Sequence, residues 1–565
     1  MGFKTIISIG YKNIFDDFDE VEIRDLILDI PSKNSLEIIG YFNAQLHTME
    51  RDTSKQIEFL KIWMYRLPAV IQQRLNTFIQ ETLSKQNTDF NFINNISSLK
   101  LVEYVLQNYN ELDKVQNLTT EQELNLFKAY LFCSQEWTDK QLLAVNGEKI
   151  KTPEELINLI LPVQLPYQEI LEFKDFRIQF IEAIYFFRFC EYNQIFKNYL
   201  KIFLDEYKLE TWQKYLINIL SIYVRKFEPL KTPSIINISN DFPDIIDFLD
   251  SLSISISDFS MSDDFLSLRQ NPIYKIDNNN FLFLNLNFLV DKIFQGIQFE
   301  FSKVLIKNKA VYKGKILKYY PDFKSAYGEE FSEIGLCYQV LSYAFDKSNY
   351  LKFKGNEIKK ILGDGEPDYY MRDKSKVYLF EYKDVLLNAK IKHSYNIDEI
   401  KSEISKKLVQ NEQGSAKGVS QLVNVIEKVR LNEFKKFDNY DFENVIIYPI
   451  LIYTDFSFNI SGINYFLNTE FRKQIKDRNI KNSHLIKDLV LIDLDMFIKF
   501  QDLFRDKRLK LNNCLNEFYE FKNRDINLFN KISTFNMFIH NKTMRIPYKS
   551  PKMLMEEVKD MIINE

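Results

Sequence analysis

Cysteine is scarce in this chain. Its four residues, Cys133, Cys190, Cys337 and Cys514, lie far apart and form no CxxC pair, which argues against a disulfide framework or a cysteine-built zinc site and suits a reducing cytoplasm. The four histidines, His47, His393, His484 and His540, are as scattered and read as structural or surface residues rather than ligands. Glycine and proline number only 14 each, as in an ordinary helix-leaning soluble protein. No uncharged run nears the ~18 residues a bilayer span requires, and no signal peptide is apparent, so the expectation is a cytoplasmic protein without membrane contact. Basic excess is missing too: the formal net charge is −4, so any nucleic-acid-binding surface must be local. P-loop, Rossmann and HExxH fingerprints are absent, and no repeat of solenoid length stands out.

What the chain has is length and aromatic bulk. Its 565 residues allow three or four domain-sized units, and 49 Phe with 32 Tyr read mainly as core filling. Residues 3–10 predict a short strand. Helical spacing follows from Ser35 to about His47, and through 56–83 with a break or kink at Pro68. It continues through 121–132, 153–161 and 175–204, the last bearing the stripe Phe176, Phe180, Ile184, Phe187, which suits helix–helix packing. The Ser-rich acidic stretch 251–264 reads as a linker or exposed edge, 272–286 as a hairpin and 288–301 as a helix.

The stretch 363–384, GDGEPDYYMRDKSKVYLFEYKD, is the most informative. Residues 377–383 are β-branched and aromatic without Gly or Pro, which predicts a strand. Alternation places Val377, Leu379, Glu381 and Lys383 on one face and Tyr378, Phe380 and Tyr382 on the other. Residues 368–372 supply a partner strand. Asp373-Lys374-Ser375-Lys376 makes the turn, as a four-residue loop or a tighter two-residue connection. Either loop pairs Arg372 with Val377, Tyr370 with Leu379 and Asp368 with Glu381, whose Cβ atoms then lie roughly 5 Å apart. Two carboxylates facing across a ladder repel unless positive charge sits between them. A hard divalent cation with oxygen ligands answers that need, and Lys383 reaches the same spot.

The surroundings add candidates. Residues 327–345 predict a helix with Glu330, Ile334, Cys337 and Leu341 on one stripe and Glu333, Leu336, Val340 and Ala344 on its neighbour. Residues 350–354 predict a strand, and Asp364 and Glu366, near enough in sequence to serve as supplementary ligands, read first as turn acids. Ser415 reads as the cap of a helix whose apolar positions are Val419, Leu422, Val423, Ile426 and Val429, with Lys417, Gln421, Asn424 and Lys428 on a polar stripe beside them. The apolar run 445–454 predicts a doubly buried strand, with Pro449 marking a bulge or edge. A second such strand, 489–494, ends in Asp493-Leu494-Asp495, read as a helix cap. The tail 497–565 reads as helical.

Pro367-Asp368, Glu381 and Lys383 match the signature of the PD-(D/E)xK nuclease superfamily, the restriction-endonuclease-like fold, and residues 320–494 resemble that family. The resemblance implies an α/β domain at about 320–495, a mixed central sheet flanked by helices. It would follow a mainly helical accessory or sensor region (1–264) and a hairpin with a connecting helix (265–319), and precede a helical extension (496–565). It implies a Mg²⁺-dependent (or Mn²⁺-dependent) endonuclease. Asp368, Glu381 and the Tyr382 backbone carbonyl would hold the metal and Lys383 would assist the attacking water. A first-helix acid, Glu333 ahead of Glu330, and a helix residue, Gln421 ahead of Lys417, would complete the catalytic set. The implied substrate is nucleic acid, DNA ahead of RNA, with inline attack and a 5′-phosphate product. Lys352, Lys354, Lys359, Lys360, Lys401, Lys406 and Lys407 are available to follow phosphates. By analogy with bacterial anti-phage and restriction-like effectors, the helical region would bind a protein partner or self-associate. The competing readings are a catalytically silent nuclease-like binding module and a helical assembly protein with an accidental motif.

Overall fold

Strong caps and breaks delimit the helices of the first half. A computed structural model describes residues 5–46, 52–85, 88–144, 150–225, 234–524, 527–546 and 549–563. Asp52 accepts hydrogen bonds from the Ser54 and Lys55 amides and opens the helix Thr53–Met64. Pro68, expected to interrupt a long helical pattern, stands at the N-cap of the next one, Ala69–Ser84. Thr119 and Gln122 form a capping box ahead of Thr120–Leu142. The helix expected from Ser35 begins at Ser32 and runs to Leu46. The pattern 175–204 is two helices, Phe176–Tyr192 and Gln194–Glu206.

The chain divides into two compact units with interleaved segments. The first comprises Met1–Leu143, Ile170–Gln179 and Phe203–Glu300. It is helical around aromatic packing: Trp63 stacks on Phe42 at 5.4 Å and meets Phe92, Phe127 and Tyr130 edge-on or tilted. Two small sheets complete it. Thr5–Ser8 pairs in parallel with Thr88–Asn91. The hairpin Ile273–Lys275/Asn280–Phe283 forms as expected and gains a third strand, Ile235–Asn237, too short to read from its composition. The stretch 251–264 carries no strand; a single bridge joins Ser253 to Ile273.

The second unit comprises Ala144–Glu169, Phe180–Ile202 and Phe301–Glu565. Segments 144–169 and 180–202 thus belong here, not to an accessory region ending at 264. Leu156, Ile157, Ile160 and Leu161 pack in the core of this unit; the stripe that predicts their helix does not say which surface it covers. A five-stranded mixed sheet organises the unit, built from β1 (Leu351–Lys354), β2 (Tyr369–Asp373), β3 (Lys376–Lys383), β4 (Ile446–Tyr453) and β5 (Val490–Asp493) in the order β5-β4-β3-β2-β1. β3, β4 and β5 are parallel, while β2 is antiparallel to β1 and β3.

One sheet face (Tyr370, Val377, Leu379, Ile447, Leu451) is covered by the helices Gly418–Arg430, Ile397–Leu408, Ile463–Asp477 and Pro153–Gln164. On the other, Tyr378 stacks on Tyr448 at 5.0 Å, and Phe380 and Tyr369 meet Phe497 and Tyr338 from the helices Leu494–Arg505 and Tyr338–Ala344. The layers are helix, sheet, helix.

Three local expectations need correction. Pro449 sits in a central strand, paired with Leu379 without a bulge. Lys487 N donates to Ile447 O at 2.8 Å, so odd-numbered residues of β4 direct their backbone groups toward β5. The missing amide of Pro449 therefore falls in the gap between the Ile447–Ile486 bridge and the β5 ladder, which starts at Ile450–Val490. Ser415 is not a helix cap: the helix starts at Gly418 with Lys417 as N-cap, and the Ser415 amide is taken by Asn411 Oδ1 at 2.7 Å. The helix expected over 327–345 is not regular. Tyr320–Tyr327 and Tyr338–Ala344 flank a π-helical segment, Gly328–Cys337. Its extra residue per turn swings Ile334, expected on a buried stripe, out to 43% exposure. No helix among the described residues is long and apolar enough to cross a membrane.

Candidate functional site

The β2–β3 hairpin has the expected register, with Arg372 opposite Val377 and Tyr370 opposite Leu379, and closes through a two-residue turn between Asp373 and Lys376. The ladder ends at Tyr369–Phe380; one step further brings Asp368 opposite Glu381. There the backbone stops pairing with backbone. Tyr382 N donates to the Asp368 side chain (Oδ2, 2.7 Å). The carbonyl of a strand residue points the same way as its amide, and the residue that would meet it in register is Pro367, which has no N–H to give. Proline thus ends the ladder and gives the Tyr382 carbonyl no amide from that strand.

Lys383 Nζ donates to Glu381 Oε1 at 2.7 Å, with the Glu381 side chain 1% exposed and that of Lys383 16%. Glu381 Oε2 is buried and accepts no hydrogen bond. Burial pushes the Asp368 carboxyl well above its ordinary range and the Glu381 charge adds to that; Lys383 and the Tyr382 amide pull down without prevailing. Burial likewise raises Glu381 against the pull of Lys383. Desolvation works against the Lys383 ammonium, but Glu381 and Asp368 outweigh it and its pKa is raised, so it stays protonated.

The two first-helix acids part company. Glu330 accepts from Tyr312 Oη at 2.8 Å and from Asn193 Nδ2 at 3.4 Å, away from the sheet. Glu333 is held by the Tyr338 hydroxyl, and its charge is felt by Asp368, Glu381 and Lys383 alike. On the helix Gly418–Arg430, a Cβ at Gly418 would stand 2.8 Å from Leu408 O and 3.1 Å from Leu451 Cδ1. Glycine therefore lets the helix start close against Leu451, the β4 partner of Glu381. Lys417 and Gln421 share that helix end, and Gln421 Oε1 is buried without a partner, yet neither is hydrogen-bonded to Asp368, Glu381 or Lys383. Asp364 and Glu366 are drawn to Lys359 at 2.8 and 3.9 Å, as turn acids should be, although Glu366 still adds to the field at Glu381. Among the lysines considered for phosphates, Lys352 turns inward to the Phe345 carbonyl at 2.7 Å.

Sequence reading missed the support behind Tyr382. Its hydroxyl is 2.9 Å from Ser332 Oγ, which donates to Asp384 Oδ2 at 2.6 Å. Lys324 Nζ and Thr454 Oγ1 both donate to Asp384 Oδ1, at 2.7 and 3.2 Å. Burial alone would raise the Asp384 carboxyl, but Lys324, Ser332 and Thr454 hold it below its ordinary range. The only hint was adjacency, Asp384 following Lys383 and Ser332 preceding Glu333. Also missed was Glu182, 2% exposed and raised by burial and by Asp495 and Asp493, the pair read as a cap; Asp493 Oδ1 does cap its helix through Asp495 N at 3.0 Å.

A divalent cation fits the donors at Asp368 and Glu381. All are oxygens, one buried carboxylate oxygen lacks a partner, and the local field calls for positive charge. Among the described residues no three His, Cys, Asp or Glu side chains gather as a cage of their own, so a third protein ligand would come from the Tyr382 backbone. No family model matches this chain, and neither does any curated protein or solved structure.

Proposed function

We propose that the second unit is a divalent-cation-dependent nuclease that hydrolyses phosphodiester bonds, in DNA ahead of RNA, with residues 320–495 arranged in the restriction-endonuclease manner. The supporting observation is the end of the β2–β3 ladder, where Asp368 takes over the Tyr382 amide opposite Glu381, whose free oxygen is buried. Mg²⁺ or Mn²⁺, when bound, supplies Lewis acidity toward a phosphate and a stronger acid in water.

The chain's own residues do the rest. Asp368, Glu381 and the Tyr382 carbonyl form an anionic cradle. Lys383, kept protonated by both acids, presents positive charge where charge accumulates on a pentavalent phosphorus, and it can orient the attacking water by donating a hydrogen bond. Glu333, fixed by Tyr338, adds field at the same pole, and Gln421 orients at the helix end. The first unit takes the accessory role, binding a protein partner or a second copy, as in bacterial defence effectors. Four free, buried cysteines fit action in the cytoplasm.

The test is cleavage of supercoiled plasmid and of labelled DNA and RNA oligonucleotides with Mg²⁺ or Mn²⁺. Asp368→Ala and Lys383→Ala should each reduce the rate by about 10²–10³-fold or more while retaining the wild-type circular dichroism spectrum. Metal-dependent cutting that survives both changes would refute the site. A wild-type chain that binds nucleic acid without cutting it would favour a silent binding module.

A further inference from the structure

We infer that Ser332, Asp384 and Lys324 are positioning residues that fix the Tyr382 peptide through its phenol, from the sheet face opposite the acids. The inference rests on the cation-site reading of Asp368 and Glu381.

Tyr382 lies beyond the last β2–β3 pair. Its amide is given to a side chain, and its carbonyl faces a proline. Backbone pairing on the β2 side therefore does not set the tilt of this peptide, although the carbonyl must point between the two acids to serve a cation. Parallel pairing with Ile452 of β4 holds the residue on one side; on the β2 side what fixes it is its ring. Tyr382 is 6% exposed and its hydroxyl meets Ser332 Oγ. Ser332 has one proton and spends it on Asp384, so the Tyr382 hydroxyl is the donor to Ser332. Lys324 balances the Asp384 charge. The chain ammonium–carboxylate–hydroxyl–phenol is thus satisfied in one direction only, which makes it stiff.

Packing alone would be served as well by phenylalanine and alanine, because a buried hydroxyl gains little unless bonded. Tyr378, on the same strand and face, shows the contrast: its hydroxyl is buried with no partner. The π-helical segment Gly328–Cys337 completes the case. It carries Ser332, which meets the Tyr382 phenol, beside Glu333, which is held by the Tyr338 hydroxyl.

The test measures Mn²⁺ binding to the full chain by calorimetry, alongside the Mg²⁺ dependence of cleavage, for wild type, Tyr382→Phe, Ser332→Ala and the matched control Tyr378→Phe. Tyr382→Phe and Ser332→Ala should each weaken Mn²⁺ binding about tenfold and raise the half-saturating Mg²⁺ concentration by the same factor, with kcat at saturating Mg²⁺ unchanged in Ser332→Ala. Tyr378→Phe, which loses the same atom, should bind as wild type. Wild-type Mn²⁺ affinity in both Tyr382→Phe and Ser332→Ala, or equal loss in Tyr378→Phe, would overturn the inference and leave the site standing. Absence of Mn²⁺ binding in wild type, or undiminished binding in Asp368→Ala, would overturn the site reading and the inference with it.

Discussion

Each unit buries an ammonium against a carboxylate, and the two pairs are finished differently. In the first unit Lys292 and Glu300 have side chains 2% and 6% exposed. Lys292 also donates to Gln270 O at 2.7 Å, and Glu300 Oε2 accepts from Tyr207 Oη at 2.8 Å. In the second unit Lys383 and Glu381 are nearly as buried, yet Glu381 Oε2 is bare and a second carboxylate, Asp368, is placed opposite. A buried pair kept for the fold has its donors and acceptors met on the spot. A pair with an oxygen in hand and an extra acid beside it is where, on the proposed reading, a cation would be held. That contrast makes the hairpin end, rather than the more deeply buried pair, the place to look for chemistry.

The largest expected effect is on the finished pair. Lys292→Met strands the Glu300 carboxylate and should cost about 3–5 kcal/mol, read from urea or thermal unfolding. The opposite sign is expected at the site, where Asp368→Asn keeps an acceptor for the Tyr382 amide while removing a charge that burial and Glu381 disfavour. It should raise stability by on the order of 1 kcal/mol at neutral pH. Destabilisation there by as much as Lys292→Met would erase the distinction between the two pairs.

Acid–base linkage sharpens the same contrast. Because the folded pKa of Asp368 is raised, the folded chain holds a proton that the unfolded chain has released as pH climbs above the ordinary carboxylate range, so stability falls through that window. A cation relieves the cost only once the carboxyls ionise. Stabilisation by millimolar Mg²⁺, read as a thermal shift, should therefore be larger at about pH 8 than at about pH 5 and be lost in Asp368→Asn. A shift independent of pH would place the cation elsewhere. A smaller difference separates the helix acids: Glu333→Gln should weaken the Mg²⁺ response about tenfold, whereas Glu330→Gln, whose partners are Tyr312 and Asn193, should leave it unchanged.

The hairpin was legible because a period of two and a short turn fix its register, and both survive whatever packs on top. Pro449 was half legible: it marks a break in pairing, but on one side of a central strand, and a proline cannot say which neighbour is missing. The destination of residues 153–164 was hidden, since an amphipathic stripe specifies that it will be covered and not by what. Ser332 and Asp384 were hidden for another reason. Their roles depend on a helix that departs from 3.6 residues per turn, and the stripe drawn on that period through Ile334, Cys337 and Leu341 misplaces Ile334.

That drift can be measured at its most exposed point. On a regular helix Ile334 shares a buried stripe with Cys337 and Leu341, and a charge there would cost several kcal/mol, about the scale of a buried unpaired carboxylate. In the π segment it is 43% exposed, and Ile334→Glu should change stability by no more than about 0.5 kcal/mol. The same substitution leaves the Ser332–Tyr382 and Glu333–Tyr338 hydrogen bonds in place, so Mn²⁺ affinity should hold as well. A large loss of stability would return the segment to α-helical phase. Ser332 and Glu333 would then no longer serve the phenol and the acids together, and the hairpin end would lose the support that sets it apart from the Lys292–Glu300 pair.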